Sequence, residues 1–277
     1  MGEKTVLDTI TSMYDKIFQA EKKVADFILQ NPDVAVNSNV SELANRSGVS
    51  DATVIRLCKH LGYDGYYQMR LFLSRDIGRN ASAGIAPAVA DNSVKGMFQK
   101  IADSTLAIAD VVKEPEYREI VDLILKSDIV HLVAAGNTTS VCMSLGPRLE
   151  RLGIRCSYNA LPEQYLSHIS LAKGNELVMA ISGSGTSKYV VKALELAHEK
   201  NLKTIAVTGY RHSPVSRLAD HLLLSSSGKV GQNPLPQGSH LNEMIVLEVL
   251  YQMLQCAISK LDTHLSDPEM LLAESKM

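Results

Sequence analysis

The chain has 277 residues, a length that fits one large domain or two modest ones. Hydrophobic residues make up 45% of the sequence and charged residues 21%, which is an ordinary composition for a soluble globular protein. The net charge is −2, and the first 80 residues carry equal numbers of acidic and basic side chains. Any contact with nucleic acid therefore has to come from a local patch and not from the field of the whole protein.

Metal sites, disulfides and membrane segments are not expected from the sequence. The four cysteines are far apart and form no CxxC pair, and the eight histidines show neither HxxxH nor HExxH spacing. These patterns predict reduced thiols, no metal site and no cofactor. No apolar run approaches the roughly 18 residues that a membrane span requires, and the first residues lack the apolar core of a signal peptide. We therefore expect a cytoplasmic protein with no membrane partner.

The N-terminal part of the chain is predicted to be helical. Residues 4–30 carry apolar side chains at helical spacing and predict two helices. Residues 41–62 then show the spacing of a helix-turn-helix. Ser41 is predicted to cap a short first helix, Gly48 to adopt the left-handed turn that ends it, and Ser50 to cap the second helix.

The second helix of this motif places polar and cationic side chains on its outer face. If such a helix enters a major groove, its N-terminal residues reach base edges and its cations reach bases or phosphates. An ordinary helical hairpin with solvated charges is the alternative, but the spacing of Ala44, Gly48 and Val54 favours DNA binding. The predicted DNA-contacting residues are Arg46, Ser50, Asp51, Ala52, Thr53, Arg56 and Lys59.

The next stretch separates this region from the remainder of the chain. Residues 78–91 are small and weakly patterned, as in a linker, and residues 93–112 show the periodicity of a helix. The sequence thus predicts a helix-turn-helix domain over residues 1–77, a linker and connecting helix over residues 78–112, and a second domain over residues 113–277.

Short apolar segments alternate with helical segments in the second domain. They predict strands at Ile129–Ala134, Ile154–Tyr158, Leu177–Ile181, Thr204–Val207 and Leu222–Leu224. This alternation is typical of a parallel sheet that helices cover on both faces. The predicted fold class is α/β, with an N-terminal all-α helix-turn-helix domain joined to a C-terminal α/β sandwich that contains a five-stranded parallel sheet.

A loop of small polar residues follows the third of these strands and precedes a helix predicted from Thr186. Its hydroxyl-bearing residues and glycines are Ser182, Gly183, Ser184, Gly185, Thr186 and Ser187. The N–H groups and dipole at a helix start favour an anion, the hydroxyls add donors, and glycine lets a ligand come close. Because the loop lacks the GxxxxGK[ST] and GxGxxG patterns, a small phosphomonoester fits it better than a nucleotide. The alternative is a loop that only caps its helix.

A second loop of the same kind follows the first strand. It begins with Gly136, Asn137 and Thr138, continues to Ser140 and precedes another helix. Ligands of parallel sheets bind outside the carboxyl ends of the strands, where the strand order reverses. Two hydroxyl-bearing loops at equivalent strand ends favour phosphate binding over the capping of two unrelated helices.

Three segments resemble one protein family. Residues 20–28 (AEKKVADFI) and residues 49–58 (VSDATVIRLC) are similar to the second helix and the recognition helix of the RpiR family of bacterial transcription regulators. Residues 181–188 (ISGSGTSK) are similar to the phosphosugar loop of the SIS (sugar isomerase) domain that follows in that family. The ordered combination covers nearly the whole chain.

The resemblance implies a regulator of carbohydrate metabolism. Its helix-turn-helix domain would bind operator DNA, its SIS domain would bind a phosphorylated sugar as effector, and the chain would form a homodimer or higher homo-oligomer. Glu163 and Gln164 are expected in the loop after the second strand, and many family members carry Arg where this chain has His240. The ligand contacts that the resemblance implies are Gly136, Asn137, Thr138, Glu163, Gln164, Ser182, Gly183, Ser184, Thr186, Ser187, Ser239 and His240.

SIS domains also occur in sugar-phosphate isomerases, which is the alternative function. An aldose–ketose isomerase needs a base to move a proton between adjacent carbons. Some SIS enzymes carry a glutamate before the final helix, and the corresponding position in this chain is near Pro234. Glu243 lies inside that helix and is expected to pack against the protein or to face solvent. His168, His212 and Glu163 are better explained as structural or ligand-contacting residues. No catalytic residue is therefore predicted, and the chain is predicted not to be an enzyme.

Overall fold

The computed structural model describes residues 5–82, 93–227 and 239–261. Within these ranges the chain forms two compact units, one that ends at Gln99 and one that begins at Lys100. The first unit is helical, and the second is a five-stranded parallel sheet flanked by helices. This architecture confirms the predicted fold class.

The N-terminal unit packs its helices around one apolar core. Its helices before residue 83 are α1 (Val6–Met13), α2 (Gln19–Gln30), α3 (Pro32–Asn37), α4 (Val40–Arg46), α5 (Asp51–His60) and α6 (Tyr66–Ser82). The fully buried side chains of Ile10, Ile28, Leu43, Leu57 and Met69 meet in the core. The two helices predicted over residues 4–30 are confirmed as α1 and α2.

Helix α3 is not evident from the sequence pattern, because Pro32 there indicates only the end of α2. Asn31 has a non-helical backbone (φ −137°), as expected before proline. Pro32 then occupies the first turn of α3, where its fixed φ suits a helix and its missing N–H costs no hydrogen bond. One proline therefore both ends α2 and begins α3.

The cap of α4 differs from the prediction. Asn39, not Ser41, caps this helix by accepting a hydrogen bond from the Glu42 N–H at 2.9 Å. Ser41 lies one residue inside α4, where it is buried and its hydroxyl donates to the Asp51 carboxylate at the start of α5. The prediction is therefore wrong by two residues, and the Ser41 hydroxyl connects the two helices.

The turn between α4 and α5 agrees with the sequence. Gly48 has the left-handed backbone that was predicted for it (φ +65°). Ser50 caps α5, because its hydroxyl accepts a hydrogen bond from the Thr53 N–H at 3.3 Å. Helix α6 continues to Ser82, so residues 78–82 are helical and not the linker that was predicted there. Residues 83–91, the remainder of that predicted linker, lie outside the described ranges.

The C-terminal unit alternates strands and helices after α7 (Val94–Ala109) and α8 (Glu114–Lys126). Its strands are β1 (Val130–Val133), β2 (Cys156–Tyr158), β3 (Leu177–Ile181), β4 (Lys203–Thr208) and β5 (His221–Leu224). Its further helices are α9 (Thr139–Arg151), α10 (Pro162–Leu171), α11 (Lys188–Glu199), α12 (Pro214–Leu218) and α13 (Leu241–Leu261). All strand pairs are parallel, and the strand order is β2-β1-β3-β4-β5.

Helices cover both faces of this sheet. Apolar residues of α8, α9 and α13 pack on one face with Leu132 and Met179 of the strands. Apolar residues of α10, α11 and α12 pack on the opposite face with Val133 and Val178. Every residue of β1 and β3 is buried, as expected for central strands that are covered on both sides.

Candidate ligand site and nucleic-acid interface

The strand order reverses between β1 and β3. The chain leaves β1 toward β2 on one side and leaves β3 toward β4 on the other side, although β1 and β3 are neighbours. Val133 at the end of β1 pairs with Ala180 of β3, so the two strands end at nearly the same level. Such a reversal opens a crevice between the two following loops, which is where parallel sheets bind their ligands. The two polar loops predicted from the sequence flank this crevice.

The loop after β3 is fixed by its backbone. The Ser182 N–H donates to the carbonyl of Val207 at 2.9 Å, and the Gly185 N–H donates to the carbonyl of Ser182 at 2.9 Å. Gly185 has φ +67°, and a Cβ at this position would lie 2.2 Å from the Ser213 hydroxyl oxygen. Glycine is therefore required there both by its backbone conformation and by the lack of space.

The hydroxyl-bearing residues of this loop differ in their surroundings. Ser184 is exposed, and its hydroxyl oxygen lies 3.0 Å from that of Thr186. Ser187 is the N-cap residue of α11, but its side chain makes no capping hydrogen bond. Since α11 begins at Lys188, two residues later than predicted, Thr186 and Ser187 belong to the loop and not to the helix. The arrangement offers hydroxyl donors and free helix N–H groups to one anion.

The loop after β1 offers fewer hydroxyl donors. Gly136 (φ +67°) starts a single 3₁₀ turn, Gly136–Thr138, that leads directly into α9. Thr138 is buried, and its hydroxyl already donates to the Ala135 carbonyl at 2.9 Å. Asn137 is exposed. An anion at this loop would thus meet the N–H groups at the start of α9 and the Asn137 amide, rather than the Thr138 hydroxyl hydrogen.

Two other pairs of residues were predicted to contact the ligand. One pair follows β2 and the other precedes α13. Glu163 and Gln164 are exposed in the first turn of α10, so their predicted placement in a loop is wrong, because Pro162 already begins that helix. Neither side chain forms a hydrogen bond to another described residue. Ser239 and His240 directly precede α13, and the Ser239 hydroxyl oxygen lies 3.4 Å from the Leu241 nitrogen.

Glu243 has a position that its sequence context did not reveal. It lies in the first turn of α13 and is 5% exposed, and its Oε1 accepts a hydrogen bond from the Ser225 hydroxyl at 2.6 Å. A Cβ on Gly183 would lie 3.1 Å from this oxygen. The carboxylate thus touches the loop after β3. The sequence distance of 60 positions hides this contact, and a polar residue on the inner face of an otherwise apolar helix is the only signal for it.

The other candidate bases lie in less suitable surroundings. His168 is exposed, and its Nδ1 lies 2.8 Å from the Ser157 hydroxyl oxygen of β2. His212 is exposed in the loop after β4. Among the described residues, no group of three or more His, Cys, Asp or Glu side chains could hold a metal ion.

The start of α5 orders the predicted DNA-contacting residues. Thr53 was expected on the outer face, but it is only 4% exposed, and its hydroxyl oxygen lies 3.0 Å from that of the cap residue Ser50. The Arg56 Nη2 donates to the same Thr53 oxygen at 3.1 Å. Thr53 therefore orients Arg56 and is not itself on the surface. Asp51 is half-buried and accepts the hydrogen bond from Ser41.

The outer face of α5 is nevertheless accessible and cationic. Ala52, Arg56 and Lys59 are exposed and follow one another at helical spacing. Arg46 at the end of α4 and Ser50 in the turn are also exposed. Ile55, which the sequence pattern assigned to no role, is 40% exposed on this face. The face thus combines two cations with apolar side chains of the kind that contact thymine methyl groups.

Helix α13 is the one described helix that is long and apolar enough, by length and composition alone, to cross a membrane. Glu243 and Glu248 interrupt this stretch in the sequence, where no apolar run of such a length was expected. The buried side chains of Val246, Leu250 and Leu254 pack in the core on one face of the sheet. These contacts account for the apolar residues on one face of α13, whereas Met244 and Val249 of the same helix are exposed.

Comparisons with known proteins agree with both units. The sequence model of the helix-turn-helix domain of the rpiR family matches residues 4–80, and the model of the SIS domain matches residues 123–231. The HTH-type transcriptional regulator YbbH of Bacillus subtilis, described as uncharacterized, is 30% identical over 250 residues, which cover 88% of each chain. The HTH-type transcriptional regulator HexR of Pseudomonas aeruginosa is 28% identical over 89% of this chain and 88% of its own.

A solved structure supports the fold over the full length. The NanR protein of Vibrio vulnificus, complexed with ManNAc-6P, superposes with a TM-score of 0.80 at 23% identity and covers 98% of this chain and 97% of its own. At this identity the likeness concerns the fold. Taken with the matches to both domains and to YbbH, it leads to one conclusion. The chain belongs to the RpiR family of helix-turn-helix transcriptional regulators and carries a SIS domain after its DNA-binding domain.

Proposed function

We propose that this regulator binds operator DNA through α5 and that a phosphorylated sugar in the SIS domain changes its affinity for the operator. The observation that carries the proposal is the reversal of strand order between β1 and β3. Two polar loops flank it, and each leads into a helix start with free N–H groups. A phosphate ester matches both loops in charge and in its need for hydrogen-bond donors. The NanR structure contains ManNAc-6P, which is a ligand of this chemical class.

The proposed phosphate contacts are the side chains and N–H groups of the two loops. Ser182, Ser184, Thr186, Ser187 and the glycines between them would surround the phosphate from the β3 side. Gly136, Asn137 and Thr138 would complete the site from the β1 side. Glu163, Gln164, Ser239 and His240 would contact the sugar. The ligand can change operator affinity only by binding two arrangements of the protein unequally, and DNA must then alter ligand affinity by the same factor.

The proposed DNA contacts are Arg46, Ser50, Ala52, Arg56 and Lys59. We propose that Asp51 and Thr53 act by positioning α5, because both side chains are engaged within the protein. A homodimer would present two copies of α5 to a palindromic site. Helix α13 offers a surface for the second copy, since Met244 and Val249 on it are exposed. A cytoplasmic location and the absence of a membrane partner are part of this proposal.

The direct test is operator binding measured with and without sugar phosphates. An operator is first selected from fragmented genomic DNA, and affinity is then measured by fluorescence anisotropy with a panel of sugar phosphates. At least one ligand is expected to change the affinity of the wild-type protein. Arg56→Ala is expected to weaken operator binding by about 5- to 150-fold. It should also reduce the slope of log affinity against log salt concentration by about one. Ser184→Ala should keep operator affinity and lose the ligand response. A panel without any effect on DNA affinity would falsify the proposal.

A sugar-phosphate isomerase remains the second candidate function. It is favoured by one observation, the buried Glu243 carboxylate in contact with the loop after β3. A carboxylate beside a bound sugar can serve as the base that moves a proton between adjacent carbons. The test is incubation of the wild-type protein with aldose and ketose phosphates, followed by detection of the interconverted product. Turnover that disappears in Glu243→Gln would favour the enzyme.

A further inference from the structure

Three side chains form a polar group at the start of α13, which we name the acidic corner: Ser225, His240 and Glu243. The Ser225 hydroxyl donates to Glu243 Oε1 at 2.6 Å. His240 Nδ1 lies 3.8 Å from Glu243 Oε2, which is too long for a hydrogen bond. Ser225 and Glu243 are each at least 95% buried. The acidic corner therefore places a carboxylate inside the protein with one direct hydrogen bond.

The acidic corner is incomplete in its hydrogen bonding. A buried carboxylate has lone pairs for about four hydrogen bonds and loses free energy when they stay unused. No donor of a described residue lies within hydrogen-bond distance of Glu243 Oε2. His240 Nε2 is also buried, and no described residue provides a partner for it. His240 Nε2 is thus a buried polar atom without a partner in the described part of the chain, and the Glu243 carboxylate beside this histidine can accept further hydrogen bonds, so the acidic corner can take a ligand that supplies them.

The acidic corner adjoins the proposed phosphate site. Glu243 Oε1 lies 3.1 Å from the position of a Cβ on Gly183, and Gly183 stands between two of the serines proposed to hold the phosphate. Gly183 is itself fixed, because its carbonyl accepts a hydrogen bond from the Gly209 N–H at 3.1 Å. A carboxylate repels a phosphate group, so it cannot be a contact for the phosphate. It can only be a contact for a part of the ligand that donates hydrogen bonds.

We propose that Glu243 selects the effector by accepting a hydrogen bond from a hydroxyl or amino group of the sugar, close to its phosphate ester. The ligand class is then a phosphorylated sugar with a free donor at that place, and sugars without the donor bind weakly. Ser225 holds one carboxylate oxygen, and the other oxygen is left for the ligand. His240 Nε2, which is buried and has no described partner, supplies a further polar contact. This inference depends on the proposed phosphate site.

The test compares ligand affinities of the wild-type protein and Glu243→Gln by isothermal titration. Probes are inorganic phosphate, glucose 6-phosphate, glucosamine 6-phosphate and N-acetylmannosamine 6-phosphate. For the sugar phosphates that bind the wild type, Glu243→Gln is expected to lower affinity at least about tenfold, because the amide donates where the carboxylate accepts. The loss is expected to be larger for the amino sugar, which loses a charged contact. Affinity for inorganic phosphate should stay equal or rise.

Controls separate selection from folding. Glu248→Gln changes an exposed glutamate of the same helix that pairs with Arg148 at 2.7 Å, and it should leave all ligand affinities unchanged. Glu243→Asp keeps the charge but shortens the side chain, and it should show the same selective loss if Glu243→Gln does not fold. Equal sugar affinity in the wild type and the folded variants would refute the inference alone. An equal loss for phosphate and sugars would assign Glu243 a structural role. A wild type that binds no probe would refute the proposed function as well.

Discussion

Ser213 occupies the space in which residue 185 would carry a side chain. Its hydroxyl oxygen lies 2.2 Å from the position of a Cβ on Gly185, and the Thr208 hydroxyl oxygen lies 2.9 Å from the same position. Thr208 is the last residue of β4, and Ser213 lies in the segment that follows this strand. The loop after β3 is therefore packed directly against the end of the neighbouring strand. Ser213 is also fixed as the cap of α12, where its hydroxyl accepts from the Ser216 N–H at 3.1 Å. The shape of the proposed phosphate loop therefore depends on a missing side chain.

We predict that Gly185→Ala lowers the free energy of unfolding by about 2–5 kcal/mol, because the left-handed backbone and the clash add. Ligand affinity should fall with it, since the loop has to move. Gly153→Ala is the matched control. Gly153 also has a left-handed backbone (φ +78°), but a Cβ there would meet no atom within 4 Å. Gly153→Ala should lower the free energy of unfolding by only about 1–2 kcal/mol. Calorimetry of both variants checks this, and equal losses would contradict the steric explanation.

A second prediction concerns the hydrogen bond between Thr53 and Arg56. Thr53→Val keeps the packing of a buried side chain but removes the acceptor of Arg56 Nη2. We expect operator affinity to fall about fivefold, which corresponds to about 1 kcal/mol for one lost hydrogen bond. Thr53→Ser retains the hydroxyl and should bind DNA with nearly wild-type affinity. If the valine and serine variants bound the operator equally well, the hydroxyl would have no part in positioning Arg56.

A third prediction concerns the cysteines. Burial raises the pKa of Cys58, Cys142 and Cys156 to about 12. Their thiolates are therefore scarce at neutral pH, and their sulfur atoms are shielded. Cys256 on α13 is exposed. We expect iodoacetamide at about pH 8 to modify Cys256 first in the native protein, as measured by mass spectrometry of its peptides. Earlier modification of any of the other three thiols would contradict this order.

A fourth prediction concerns acid stability. Burial would raise the pKa of Glu176, but hydrogen bonds from His131 Nε2 (2.6 Å) and the Lys173 N–H (3.1 Å) outweigh it and hold the pKa below its ordinary value. A carboxyl whose pKa is lower in the folded state adds stability that is complete above its unfolded pKa. That stability is lost as the pH falls through the folded pKa. The free energy of unfolding should therefore decrease in acid partly through this group.

The variant Glu176→Gln tests the acid dependence. It should be less stable than the wild type near neutral pH and should approach the wild type as the pH falls to about 3. Calorimetric unfolding of the intact chain between about pH 7 and pH 3 gives the comparison. Glu119→Gln is a control, because Glu119 is exposed and its carboxylate lies 3.8 Å from His221 Nδ1. A constant difference between wild type and Glu176→Gln over this range would contradict the assignment.

The elements that the sequence predicted well are those with a strong local signal. The strand Leu177–Ile181 has the predicted bounds, and α13 has the predicted range of Leu241–Leu261. A run of five apolar residues between turn residues specifies a buried strand without reference to any other part of the chain. Gly48 and Ser50 were also placed correctly, since a left-handed turn and an N-cap each prefer few residue types.

The failures involve competition between neighbouring residues or contacts across the chain. Asn39 and Ser41 are both good N-caps, and only the packing of Ser41 against Asp51 decides which one begins α4. Thr53 is polar but buried, and its hydrogen bonds with Ser50 and Arg56 offset the cost of burying its hydroxyl. Glu243 reaches Gly183 through the placement of α13 on the sheet. Periodicity within one element carries no information on such long-range contacts.

The unused cap position of α11 has a consequence for the genetics of this regulator. The Ser187 side chain contributes no capping hydrogen bond to its own helix, so replacing this side chain should leave folding almost unchanged. Its hydroxyl would gain a role only when an effector arrives. A single substitution there would produce a protein that reaches normal abundance, still recognises its operator and no longer senses its metabolite. Screens for alleles that lose the proposed effector response should therefore recover changes at this serine more often than at the buried glycine two residues before it.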